Sequence, residues 1–186
     1  MPSNNRFKLQ LWNFISTDIG WFACAAGAAW NIHWLGLVVV PLLFVIHIFL
    51  FGKPRIRSVL ILAAITMALG FIVDTGLIVI GVVEPNRWLM PAPLIPLWDV
   101  MIWANFSLSL DTSLRFLQRR LVFAAVLGAI LGPAAYFGAY KLGALEILSP
   151  VASSLIWIAA AWLGVMPALS LMARCVYRNE SSDNSA

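Results

Sequence analysis

Four aspartates lie inside long apolar stretches of this chain, namely Asp18, Asp74, Asp99 and Asp111. A charged side chain within a bilayer is costly unless it is paired or hydrated, so intramembrane ionisable residues are the first candidates for a functional site. The sequence assigns no catalytic residue. It does offer candidate ligand-binding residues, which are these four aspartates together with His47 and Arg115.

Depth along the apolar stretches groups one set of candidates into an inner layer. Asp18, His47 and Asp111 lie about 6 to 10 Å from the same predicted membrane face, and Arg115 lies one turn nearer to that face. Asp111 and Arg115 are four residues apart, which places them on one side of a helix. They are either a structural ion pair or one wall of a polar pocket, in which Arg115 would bind an anionic headgroup or carboxylate.

Asp74 and Asp99 belong to an outer layer. Asp74 lies in mid-helix with no basic residue within a turn on its own helix, so it must be neutral, hydrated or paired across helices. Its carboxyl either forms a structural hydrogen bond, to Thr75 or to a neighbouring helix, or belongs to a proton-linked site. We predict that Asp74 faces the interior of the bundle, towards the fourth helix and Asp99.

Several conventional sites are excluded by their missing motifs. The chain has no GxSxG elbow, HExxH helix or Walker loop. Its two histidines, His33 and His47, fall near opposite membrane faces, and we expect neither a metal nor a cofactor. The net charge of +4 is spread over several joints without a nucleic-acid-binding motif, so no nucleic-acid partner is expected. Cys24 and Cys175 are predicted to be free thiols.

The elements that carry these residues are six apolar segments of about 20 residues each, the length that a helix needs to cross a bilayer. In lipid each segment must pair its own backbone groups, which only a helix allows. We therefore predict an all-α polytopic membrane protein, a bundle of six transmembrane helices in a single domain, 1–178, followed by a short, polar, disordered tail, 179–186. The segments are 11–29, 33–51, 59–83, 95–117, 121–140 and 150–172.

The basic residues collect at every second joint between segments. Of the twelve Lys and Arg residues, all but Arg87 and Lys141 fall on one side of the predicted membrane. Short loops rich in Lys and Arg stay in the cytoplasm, so both termini are predicted to be cytoplasmic. The basic residues would then contact anionic headgroups of membrane lipids.

Small residues recur at four-residue spacing in three segments. Such ridges let helices approach closely, and packing within the chain is the favoured use. An oligomer formed through Gly128/Gly132 or through Ala160/Gly164/Ala168 is the alternative; the third ridge is Gly20/Cys24/Ala28. Aromatic residues near the segment ends predict an interfacial belt. These are Trp12, Trp30, Trp34, Trp88, Trp98 and Tyr177.

Several short motifs in the second half of the chain resemble those of the bacterial membrane family DUF2878. They are Leu97-Trp98, Ile102-Trp103, Ser113-Leu114-Arg115-Phe116-Leu117, Leu127-Gly128, Gly132-Pro133-Ala134-Ala135-Tyr136 and Leu142-Gly143-Ala144. Trp21-Phe22 and the 70–74 stretch are also similar, so the resemblance covers most of the chain. Where the family typically has Asn-His before the Ser-Leu-Arg run, this chain has Asp111-Thr112. A role assigned to that histidine therefore does not transfer.

The resemblance implies a multi-pass protein of the bacterial inner membrane without an established activity. Genes of the family often lie near genes similar to those of cyclopropane-fatty-acid synthases, which implies a lipid-modifying enzyme as a partner. The favoured hypothesis is a protein that binds a lipid or another small apolar molecule as an accessory to lipid modification. The alternatives are a small transporter with intramembrane aspartates and an intramembrane enzyme that uses aspartates as acid and base.

The charge pattern gives a testable topology. A reporter fused after Tyr177 should be cytoplasmic, and one inserted near Asn86 should be external, because the basic joints lie on the side of the termini. Paired alkaline phosphatase and fluorescent-protein fusions measure this. The reverse pattern would contradict the assignment of inner and outer layers.

Overall fold

Helices make up most of the part of the chain that the computed structural model describes, which is residues 3–51, 56–86 and 90–183. The predicted all-α class is confirmed at this level. The helices are α1 (Ser3–Ala29), α2 (Trp34–Phe51), α3 (Ile56–Val79), α4 (Leu97–Leu110), α5 (Leu121–Leu142) and α6 (Val151–Asp183). Two short strands, β1 (Val83–Pro85) and β2 (Leu145–Ile147), and a 3₁₀ helix (Arg115–Arg119) complete the fold.

Four of these helices are long and apolar enough to cross a membrane: α2, α3, α5 and the Val151–Arg178 part of α6. The other two differ from them for separate reasons. The 14 residues of α4 extend only about 21 Å, less than the hydrocarbon thickness of a bilayer. In α1, polar residues such as Asn13, Thr17 and Asp18 interrupt the apolar run. The structure therefore has four helices that are long and apolar enough to span a membrane, which is compatible with a membrane protein.

The predicted fourth segment, 95–117, is wrong in its second half. Helix α4 ends at Leu110, and the chain turns before the 3₁₀ helix begins at Arg115. Side chains from outside the helix donate hydrogen bonds to carbonyl groups at the end of the helix. Asn13 of α1 donates to the Leu108 carbonyl at 3.1 Å, and Gln118 donates to the Leu110 carbonyl at 2.9 Å. Because these partners satisfy the backbone, the helix can stop inside the protein.

A small two-stranded antiparallel sheet, which the apolar pattern does not predict, joins the segment after α3 to the segment after α5. Val83 pairs with Ile147, and Pro85 pairs with Leu145. Gly143 ends α5 in the left-handed conformation, with φ at 87°, a common way for a helix to finish. Asn86 donates to the Gly143 carbonyl at 2.8 Å and so links the end of β1 to the end of α5. Of the basic residues used for topology, Lys53, Arg55 and Arg87 lie outside the described residues.

Helix α5 packs closely on α6 through Gly128 and Gly132. A Cβ atom on Gly128 would lie 2.6 Å from the Met166 Cβ, and one on Gly132 would lie 2.3 Å from Cγ of Trp162. The Gly128/Gly132 ridge is therefore used inside the chain, which was the favoured interpretation. Gly164, in the Ala160/Gly164/Ala168 ridge of α6, meets no atom within 4 Å and is exposed.

Helix α4 is enclosed by its neighbours, as the burial of Trp98, Trp103 and Asn105 shows. The Asn105 amide donates to the Thr17 carbonyl of α1 at 2.7 Å. Trp98 was expected in an interfacial belt, but only 1% of its surface is exposed, and its indole donates to the Asn86 carbonyl at 2.9 Å. The belt prediction is wrong for this residue because it is buried and its indole is bonded to Asn86, which follows β1.

The two ends of the chain depart differently from the predicted segments. Helix α6 continues to Asp183, past the predicted end at residue 172. Of the polar tail predicted at 179–186, the backbone of 179–183 is helical and the rest lies outside the described residues. Trp12, Trp30 and Trp34 are exposed, as an interfacial belt requires. Trp88 of the predicted belt is not among the described residues.

The contact between α5 and α6 makes a testable prediction about stability. Gly132→Ala should lower the free energy of unfolding by about 1–3 kcal/mol, because the new methyl group would overlap Trp162. Gly76→Ala in α3 is the matched control and should be neutral or slightly stabilising, since its position is open and alanine favours the helix. Thermal unfolding in detergent, followed by size-exclusion chromatography, measures both. Equal midpoints for the two variants would contradict the packing.

Candidate functional site

A cavity of about 590 Å³ lies between α1, α4, α5 and α6, with Asp74 of α3 at its wall. Most of its lining is apolar or aromatic. Exposed side chains from α1 and α5, among them Phe14, Phe22 and Leu131, contribute to it, so it opens at the surface that these two helices share. A volume of this size and an apolar lining are typical of sites for small molecules.

The Asp74 carboxyl joins three helices. Its Oδ2 accepts a hydrogen bond from the Trp103 indole of α4 at 2.5 Å, and its Oδ1 accepts one from the Tyr136 hydroxyl of α5. Only 2% of Asp74 is exposed. The buried carboxyl therefore has a donor on each oxygen, which offsets part of the cost of removing it from water.

Asp99 of α4 is the second acidic group of the cavity. Its carboxyl lies close enough to Asp74 for the two charges to interact. Asp99 also lines the cavity, and its side chain accepts no hydrogen bond from any residue of the described ranges. Asp74 is thus held by the protein, whereas Asp99 is left with acceptor oxygens that a ligand can use.

Aromatic rings form the wall beside the two acids. Trp103 and Trp162 stack with ring centroids 5.2 Å apart and an interplanar angle of 14°. Phe106 meets Trp162 edge to face at 5.8 Å. The close approach of α6 at Gly132 places Trp162 here, so the glycine ridge of α5 helps to shape the cavity.

The structure brings three of the six candidate residues together. Asp18, Asp74 and Asp99 all line the cavity, and Asp18 lies at an exposed position of α1. The remaining three lie elsewhere: His47 is buried on α2 and stacks on Phe51 at 4.4 Å, while Asp111 and Arg115 follow α4. The inner layer is therefore not assembled around this cavity.

The Asp111–Arg115 pair is present but differs in form from the one predicted. Arg115 Nε lies 3.7 Å from Asp111 Oδ1, although the two residues are not on one helix face. The Arg115 side chain is 61% exposed, and ion pairs with an exposed partner contribute little to stability. Asp111 is buried at the end of α4, outside the cavity lining.

The predicted orientation of Asp74 is confirmed. It points to α4 and α5, and its partners belong to neighbouring helices. Thr75, the local alternative, has a buried hydroxyl without a hydrogen-bond partner among the described residues. Sequence reasoning missed the partners Trp103 and Tyr136 because aromatic residues in apolar segments also face lipid. Their places in the Ile102-Trp103 and Gly132–Tyr136 motifs were the available signal.

Metal binding finds no support in the described ranges, where no three His, Cys, Asp or Glu side chains come together to hold an ion. The arrangement offers different chemistry. Two carboxyls and a tyrosine hydroxyl at the wall of an apolar cavity can accept hydrogen bonds, hold a proton or balance a positive charge.

A bundle of helices, four of them long and apolar enough to span a membrane, with an acid-bearing cavity among them, is compatible with the class of multi-helix membrane proteins. The family profile of DUF2878, a protein family of unknown function, matches residues 10–168. The chain belongs to this family. Neither a curated protein nor a solved structure matches it.

The hydrogen bonds of Asp74 generate a prediction that separates the effect of losing its charge from the effect of losing its hydrogen-bond acceptors. Asp74→Leu should lower the free energy of unfolding by about 1–3 kcal/mol, because the Trp103 and Tyr136 donors would lose their acceptor. Asp74→Asn should cost less than about 1 kcal/mol, since the amide oxygen can still accept from Trp103 and the hydroxyl of Tyr136 can turn to accept. Thermal unfolding of the purified variants measures this. A leucine variant as stable as the wild type would contradict the three-helix link.

Proposed function

We propose that this protein binds a lipid or another small apolar molecule in the cavity between α1, α4, α5 and α6, as an accessory to a lipid-modifying system of the bacterial inner membrane. The observation that carries the proposal is the cavity itself. Its lining is mainly apolar, and it opens at the surface shared by α1 and α5. A molecule dissolved in the bilayer can enter from that side without crossing water.

The proposal includes six membrane helices with both termini in the cytoplasm. Although α4 is short, it is surrounded by other helices, and backbone that is buried in protein need not be helical at membrane depth. The side chains of Asn13 and Gln118 satisfy carbonyl groups at its end, which supports a place for α4 inside the membrane. Helix α1 contributes a wall of the cavity and, at 27 residues, is long enough to span.

Partners follow from the same placement. Membrane lipids surround the helices, and an enzyme that modifies lipids would supply or receive the bound molecule. The exposed Ala160/Gly164/Ala168 face of α6 is the surface that we propose for a second copy of the chain, because the Gly128/Gly132 ridge is already covered by α6.

A proton-linked transporter is the second candidate, and the Asp74–Asp99 pair favours it. Two carboxyls that interact within an apolar wall readily share a proton, since ionising both is costly. An intramembrane enzyme would use the same pair as acid and base, with Tyr136 as a further proton donor. Binding of an apolar molecule in the cavity is the step that all three functions share.

Native mass spectrometry of protein extracted in a mild detergent tests the binding. The wild type should retain a molecule of defined mass, whereas Ala135→Trp should lose most of it, because the indole would fill the cavity that Ala135 lines. Ala64→Trp is the matched control: it adds the same side chain at an exposed position of α3 outside the cavity lining and should retain the molecule. A wild type without bound molecules, or equal retention by both variants, would sink the proposal.

A further inference from the structure

The charge balance of the cavity indicates what kind of polar group its ligand carries. Three carboxyls line it, those of Asp18, Asp74 and Asp99. No Lys, Arg or His side chain is found in that lining over the described ranges. Arg115, which the sequence predicts to bind an anionic headgroup, does not line the cavity. A carboxylate or phosphate in the cavity would therefore meet negative charge and no cation, an arrangement that electrostatics disfavours.

Asp99 is the group that remains for a ligand. The two oxygens of Asp74 already accept hydrogen bonds from Trp103 and Tyr136. The Asp99 carboxyl accepts none within the described part of the chain, and it lies at the cavity wall. A donor that enters the cavity can pair with Asp99 without displacing a protein partner.

Two neighbouring carboxyls also favour a positive charge over a neutral donor. Ionising both in an apolar wall is costly unless a proton or another cation lies between them. An ammonium group supplies both the charge and the N–H donors. The aromatic rings of Trp98, Trp103 and Trp162 line the same region and can stabilise a cation through their faces.

We propose that the ligand is an amphiphile with a single cationic amine, whose ammonium group binds at Asp99 beside Asp74 and whose apolar tail lies against the aromatic wall and the opening between α1 and α5. This inference rests on the proposed binding function and names its ligand class. It makes Asp99 a specificity-determining residue, because its carboxylate selects the head group.

Three short, soluble probes with the same tail test the head group: hexylamine, which is protonated at neutral pH, hexan-1-ol and hexanoate. Binding to the full-length protein in nanodiscs is measured by quenching or shift of tryptophan fluorescence, since several tryptophans line the cavity. The ammonium probe should bind about tenfold more tightly than the alcohol, and hexanoate should bind most weakly, as expected for a partly desolvated charge pair.

A single substitution then locates the contact. Asp99→Asn should weaken hexylamine binding about tenfold while binding of hexan-1-ol changes by less than about twofold. Glu146→Gln is the matched control. It removes one carboxylate from the exposed position of β2, outside the cavity, and should leave both affinities unchanged within about twofold.

The outcomes separate the two proposals. If none of the three probes binds, both the binding function and this inference are overturned. If hexan-1-ol or hexanoate binds as tightly as hexylamine, the binding function stands and the amine is wrong. A loss of hexylamine binding with Asp18→Asn in place of Asp99→Asn would overturn the placement of the head group. Should Asp99→Asn fail to fold, the order of the three probes on the wild type still decides the head-group chemistry.

Discussion

The buried carboxyl of Asp74 is the interaction around which the helices of this protein are arranged. One of its oxygens accepts from Trp103 of α4 and the other from Tyr136 of α5, so a single side chain of α3 links three helices. In an apolar surrounding, a carboxyl without partners costs several kcal/mol, which makes these contacts hard to give up. The link also fixes Trp103, and through its stacking with Trp162 it reaches α6.

The same requirement, that polar groups find partners inside the protein, explains the irregular end of α4. Asn13 reaches from α1 to the Leu108 carbonyl, and its own oxygen accepts from Ser113 at 2.9 Å. With these bonds in place the chain can turn within the bundle. The turn brings Ser113 and Leu114 to the cavity, so the helix end contributes to the shape of the site.

The two acids of the cavity differ because their surroundings differ. Asp74 is satisfied by the protein and contributes to the packing, whereas Asp99 keeps acceptor oxygens at the cavity wall. One carboxyl thus has a structural function and its neighbour is available for binding. This division supports binding as the function common to an accessory, a transporter and an enzyme, and it links the proposed amine to one residue.

The sequence by itself determined the helical, membrane-type character of the chain, because the bilayer directly constrains the composition and length of the segments that cross it. It also determined that Asp74 faces inwards, since lipid offers a carboxyl no partner. Only the tertiary structure decided which side chains meet Asp74. Trp103 and Tyr136 lie 29 and 62 residues away in the chain, and no local signal spans that separation. Lipid and protein interior are both apolar, so the hydrophobic pattern does not show which face of a helix is buried. For the same reason the end of α4, the pairing of β1 with β2 and the position of the cavity depended on contacts between distant segments.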